Sequence, residues 1–428
     1  MKINKGITLI ALIITIIILL ILVGVSINLA IKGDLFGSAE KAVSGTNDKT
    51  AQEQTRVDEL MGELGRVEEQ QRQDNLPGTR VTEPTEYKEG NKTAVIPAGF
   101  TVSKAEGETT IDGGLVIYLI NDKKEEEIKK LTWTGTELEN LKKTYDQFVW
   151  IPISHEQINN MFICQAKTTS NGSCNIVAEN GTAKCTTHNS TQMAGRLYAT
   201  STGESYNNPK KEVYTANTGL REPDVVDSYD GTSAYLSNLT SILGSEYDDK
   251  DKFKNILQTD YNEIVALIYN AKGYYVGRYE TSNLTTTKGT AINVVAGTNF
   301  GISNINWYCM YAQQKAYTTN KQLKSVKSSM ILGTCHDQML EFVNVAGKYD
   351  VTKAGNVGHT SSKFTTKPYL TGGVGYNENY SGYETEPYKD LSKNIYDLEG
   401  NVCEWTTEAL DTSYRVYRGR LLQQQLFC

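Results

Sequence analysis

Asn394-Ile395-Tyr396-Asp397-Leu398-Glu399-Gly400-Asn401-Val402-Cys403-Glu404-Trp405-Thr406, followed by Arg415-Val416-Tyr417-Arg418-Gly419, is the stretch on which the reading of the fold turns. Gly400 and Asn401 are residue types that accept the positive φ of a tight turn. Trp405 reads first as a core anchor, because an indole carries a large apolar area. Asp397, Glu399, Asn401 and Glu404 place hard oxygen ligands close together, the donor type calcium takes. Structural use of these carboxylates is preferred and no bound metal is expected, with calcium the one cofactor left open.

Working outward, the texture from Thr93 onward is of short runs bounded by Gly, Asn, Asp and Thr. Ala94-Val95-Ile96-Pro97, Leu115 to Ile120 and Gln147 to Pro152 are rich in β-branched and aromatic residues and predict strands. Lys252 to Gly273, Trp307 to Thr318 and Ser328 to Val345 predict helices. Ala166 to Val213 and Ala346 to Asn394 have no period and predict long ordered loops. The class expected is α+β.

Three stretches then resemble the sulfatase-modifying family, the formylglycine-generating-enzyme type of C-type lectin fold. Gly273-Tyr274-Tyr275-Val276-Gly277-Arg278-Tyr279-Glu280-Thr281 is similar to the strand that introduces its core, and Asn306-Trp307-Tyr308-Cys309-Met310-Tyr311-Ala312 to its Trp-marked helix. The third is the 394–406 stretch, where a family tryptophan is replaced by Cys403. The resemblance implies an irregular, loop-rich C-type-lectin-like domain over 93–428. Its ligand surface would lie after Trp405, with Tyr414, Arg415, Tyr417 and Arg418 as exposed contributors and Asn401, Glu404 and Trp405 as structural motif residues. Strand alternation would bury every second residue of that run.

The catalytic members use two cysteines beyond their Arg-Gly-Gly turn, where this chain has Cys428 alone. His155, His188, His336 and His359 are widely separated, without H-x-x-x-H spacing, and read as loop histidines. No catalytic residue is therefore assigned, and an oxidase is the alternative reading. The residues Arg420 to Cys428 do not suit the end of such a domain. Shifted by one nucleotide, with suitable codons, they would complete the turn, so a frameshifted and incomplete C-terminus is expected.

At the other end, Ile7 to Ile31 runs twenty-five residues without a charge, enough for a bilayer core that needs about 20. Lys2 and Lys5 precede it, which leaves the N-terminus cytoplasmic and sends the rest outside. Lys5-Gly6-Ile7-Thr8-Leu9-Ile10-Ala11-Leu12 resembles a type IV prepilin, which implies cleavage between Gly6 and Ile7 by a prepilin peptidase. The family's glutamate is Ala11 here, so a minor pilin-like subunit or a simple anchor is expected instead of a major fibre subunit. The expected order is a leader (1–6), a transmembrane helix (7–31), a stalk helix (32–75), a linker (76–92) and the globular domain (93–428). Val57, Leu60, Met61, Leu64 and Val67 form an apolar stripe on the stalk, assigned to packing on the domain.

Lys plus Arg number 43 against 50 Asp plus Glu, so no basic footprint for nucleic acid is present. Twenty-six tyrosines suit a recognition surface. Cys164, Cys174 and Cys185 cluster without C-x-x-C spacing, so a disulfide is permitted there and no metal is expected. The function expected is that of a non-catalytic, membrane-anchored surface protein that binds an extracellular ligand.

Overall fold

The computed structural model describes residues 39–165, 174–195, 239–282, 292–297, 307–344, 375–376, 387–388, 391–398, 404–409 and 415–418. The chain divides into two compact units, Met1–Gln71 and Arg72–Cys428. Helix α1 (Ala39–Asp74) supplies the described residues of the first, its last turn from Arg72 belonging to the second. It contains no proline, and Leu76-Pro77-Gly78 follows its end, with Gly78 at φ 77°. Within this helix Val57, Leu60, Met61 and Val67 are exposed. No helix among the described residues is long and apolar enough to cross a membrane. The expected leader and the span Ile7 to Ile31 lie outside the described residues.

The second unit is α+β. Strands β1 (Thr85–Glu89) and β2 (Lys92–Ile96) form a hairpin. Residues 76–92, expected as a linker, are thus part of the folded unit. Leu76, Val81 and Tyr87 are buried, and the Tyr87 hydroxyl donates to the Thr109 carbonyl at 2.7 Å. Apolar residues that scattered form no period, and the polar background around them reads as linker.

The central antiparallel sheet has the order β10-β5-β4-β3, made of β3 (Thr101–Val102), β4 (Val116–Tyr118), β5 (Gln147–Pro152) and β10 (Gly273–Gly277). Both faces are covered. Val116, Tyr118, Val149 and Ile151 pack with Trp133, Leu141, Val276 and Phe342 on one side. Leu115, Ile117 and Trp150 pack with Ile96, Phe100 and Val102 on the other. Burial on both faces is why these strands read as continuous apolar runs without polar alternation.

Between β5 and β10 the chain forms α2 (His155–Met161), β6 (Phe162–Cys164), β7 (Ile176–Glu179), β8 (Thr182–Cys185), β9 (Met193–Gly195) and α3 (Lys250–Ala271). The Asp249 side chain caps α3 by accepting from the Lys252 amide, and Lys272 ends the helix in the left-handed conformation. Helices α4 (Trp307–Asn320) and α5 (Gly333–Asn344) follow. Short ribbons complete the unit: β11 (Gly375–Tyr376) with β12 (Pro387–Tyr388), β13 (Leu391–Ser392) with β14 (Ile395–Tyr396), and β15 (Glu404–Ala409) with β16 (Arg415–Arg418).

One buried ion pair ties the sheet together. Arg278, just past β10, donates to Glu108 Oε1 at 2.6 Å, and the two side chains are 2% and 5% exposed. Its other terminal nitrogen donates to Tyr118 Oη and Gln147 Oε1, both at 3.0 Å. Ser103 and Tyr118 hydroxyls donate to the second Glu108 oxygen, so the buried carboxylate is satisfied from three sides.

Candidate functional site

The β7–β8 hairpin turns on Asn180 and Gly181, with φ of 51° and 77°, the paired positive angles of a type I′ turn. Beyond β8, Cys185 and Ser190 exchange backbone hydrogen bonds at 2.8 and 3.2 Å. They close the loop Thr186–Asn189, whose last residue again has positive φ. That second turn folds His188 back over Cys185. On the neighbouring ribbon, β6 pairs with β9, and the Cys164 amide donates to Cys174 Sγ at 3.4 Å.

These turns bring together three buried cysteines and a half-buried histidine. His188 Nδ1 lies 3.3 Å from Cys164 Sγ, 3.3 Å from Cys185 Sγ and 3.7 Å from Cys174 Sγ. The sulfurs of Cys164 and Cys174 are 3.6 Å apart, and all four ligand atoms fall within 4.8 Å of one another. Among the described residues this is the one group of three or more such side chains that could hold a metal ion. Burial pushes the Cys164 thiol up to about 12 and raises that of Cys174. For Cys185 burial is outweighed by hydrogen bonds from the His188 and Thr187 backbone and the neighbouring thiols, so its thiol lies below the ordinary cysteine range.

The cluster corrects the expectation that His188 stands apart from other ligand-type side chains, and it sets a fourth possible ligand beside the three cysteines for which a disulfide was permitted. The signal in the sequence is Cys185-Thr186-Thr187-His188, a C-x-x-H spacing in place of C-x-x-C. The other histidines are not brought in: His155 stacks on Tyr269 with ring centres 4.2 Å apart, His336 is buried in α5, and His359 lies outside the described residues.

A second feature is a groove of about 880 Å³ with β10 as one wall. Phe148, Met310, Tyr317 and Leu323 supply much of its apolar lining, and Gln314 and Lys327 are among its polar groups. The Lys272 carbonyl accepts from Ile153 and the Arg278 amide donates to Gln147, so the even-numbered residues of β10 bond to β5. The N–H and C=O of Gly273, Tyr275 and Gly277 therefore point away from β5, along the side that lines the groove. Among the described residues no strand pairs with that edge.

The remaining candidates fall as follows. Gly6, Ile7, Tyr414 and the calcium candidates Glu399 and Asn401 lie outside the described residues. Asp397 is buried with φ 63°, and Glu404 begins β15. Trp405 packs half-buried against the Trp307 cluster and lines the groove. The β15–β16 register sets Arg418 opposite Glu404, Tyr417 opposite Trp405 and Arg415 opposite Ala409. Comparison with protein-family models, with curated proteins and with solved structures returns no match for this chain.

Proposed function

We propose that this chain is a membrane-anchored surface protein whose second unit binds an extended polypeptide in the β10 groove without transforming it. The observation that carries the reading is the β10 edge that no strand among the described residues pairs, facing a groove of ligand size. An added strand gains main-chain hydrogen bonds there, and flanking apolar surface selects alternate side chains. Ile7 to Ile31 supplies the anchor, and the Gly6–Ile7 junction the pilin-type processing site. A C-type-lectin-type domain would be a suitable frame, since such folds carry ligands on loop-built surfaces. The exposed stripe Val57, Leu60, Met61 and Val67 favours a second role as a minor pilin-like subunit, because such a face suits a partner helix.

The test is a random peptide library panned against the full-length chain. Recovered peptides should slow amide hydrogen exchange at Tyr275 and Gly277, and Tyr275→Pro, which deletes one outward N–H, should weaken them. Peptides that bind without protecting those amides would move the site elsewhere. Copper- or iron-dependent oxygen uptake with a thiol substrate would make the chain an oxidase. A Gly6→Val chain that keeps the wild-type mass in cells containing a prepilin peptidase would remove the processing claim.

A further inference from the structure

We propose that Cys164, Cys174, Cys185 and His188 bind one zinc ion in a closed, structural site that ties β6 to the β7–β8 hairpin. A tetrahedral zinc holds sulfur at about 2.3 Å and imidazole nitrogen at about 2.0–2.1 Å, which separates the ligand atoms by roughly 3.8 Å for S···S and 3.6 Å for S···N. The S···N distances of 3.3, 3.3 and 3.7 Å bracket the second value and the Cys164–Cys174 S···S distance of 3.6 Å lies just under the first, so one ion fits with shifts of a few tenths of an ångström.

Three further observations favour zinc in a structural role. Soft thiolate and imidazole donors select zinc over calcium or magnesium, which require oxygen. Four protein ligands fill a tetrahedral shell and leave no position for water or substrate, the arrangement of a structural site. The surroundings are apolar, with Phe162, Ile176, Ala183 and Met193 in the same core, and the Cys164 amide donates to a ligand sulfur, stabilising its negative charge.

The competing chemistry is a disulfide between Cys164 and Cys174, which oxidising surroundings permit. It would use two of the sulfurs and leave Cys185 and His188 facing them without a common partner. The convergence of His188 Nδ1 on all three sulfurs is what a shared ion explains and a disulfide does not. The inference is independent of the groove: a chain that binds no peptide could still hold zinc, and the reverse.

The experiment is elemental analysis and zinc-edge X-ray absorption on the full-length chain purified without added metal. The expected result is one zinc per chain, with three sulfurs at about 2.3 Å and one nitrogen at about 2.0–2.1 Å. His188→Ala and Cys185→Ser should lose most of the zinc, while His188→Cys should retain it with four sulfurs in the shell. Chelation should lower Tm, and zinc should restore it. A wild-type chain free of zinc with a Cys164–Cys174 disulfide by mass spectrometry, a different metal at one per chain, or undiminished zinc in His188→Ala would each overturn the proposal.

Discussion

Arg278→Met tests whether the buried ion pair holds the central sheet together, because it keeps most of the side-chain length and removes the charge. In the wild type the guanidinium meets Glu108 at 2.6 Å, two neutral acceptors at 3.0 Å and the rings of Tyr279 and Tyr396, each 5.6 Å from its carbon. Removing one partner of a buried pair leaves an uncompensated charge and costs about 3–5 kcal/mol. At about 2 °C per kcal/mol, suited to a large domain, Tm should fall by roughly 6–10 °C. Urea unfolding should give the same loss, with the slope unchanged if the denatured state is unaltered. The double variant Arg278→Met/Glu108→Leu should regain much of it, since an apolar replacement of a whole buried pair is often neutral. A single-variant loss below about 1 kcal/mol, the range of an exposed pair, would mean that water reaches Glu108 and would refute the reasoning.

Asp260 lies beside Lys315 and Lys327. Burial raises its carboxyl pKa, but the two ammonium groups outweigh that and hold it below the ordinary value. A depressed folded pKa gives stability that is complete above the unfolded value, about 3.9, and lost as pH falls through the folded one. The Tm gap between wild type and Asp260→Asn should therefore narrow below about pH 4; a gap that widens on acidification contradicts the assignment. Gly114 has φ 92°, and a Cβ there would stand 1.9 Å from the Lys393 carbonyl oxygen. Gly114→Ala should cost about 4 kcal/mol or more, measured by urea unfolding. Gly181→Ala, with a positive φ but open space around it, should cost only about 1–2 kcal/mol, and equal losses at the two sites would show that contact plays no part.

The legible parts of this fold are those whose physics is local. Gln147 to Pro152 and Leu115 to Ile120 read as strands because both faces of the sheet are buried. Lys252 to Gly273 and Trp307 to Thr318 read as helices that the structure places at 250–271 and 307–320. Ser328 to Val345 reads as one helix, whereas the structure begins it at Gly333. The β7–β8 hairpin lies inside the aperiodic stretch Ala166 to Val213. Its strands are four residues each, too short for alternation to register, although Asn180-Gly181 is a strong turn signal on its own. The candidate metal-ligand set is half legible: Cys185 and His188 belong to one turn, whereas Cys164 comes from β6, outside that hairpin. Arg278 and Glu108, 170 residues apart, carry no periodic signal of their contact, because periodicity reports which face is buried and not which strand lies beside it.

The three stretches first singled out in the sequence meet in space, and the way they meet bears on the groove. The Tyr396 amide donates to the Arg278 carbonyl at 2.9 Å, and the Tyr396 and Tyr279 rings stack 4.8 Å apart. The Trp307 indole donates to the Thr406 carbonyl at 2.7 Å, and the Thr407 amide donates to the Ile331 carbonyl. Asn394 Nδ2 reaches the Gly107 and Gly114 carbonyls, anchoring the same segment to the far side of the sheet. Residues 394–398 and 404–407 thus bond to Arg278 just past β10, to the start of α4 and to Ile331 in the connection before α5. Tyr396 and Trp405 are also groove-lining residues. A substitution in this segment would change the width of the groove through the elements it holds apart. Loss of peptide affinity in a Trp405 variant would therefore report on position as well as contact, and a ligand-free Tm measured beside it separates the two.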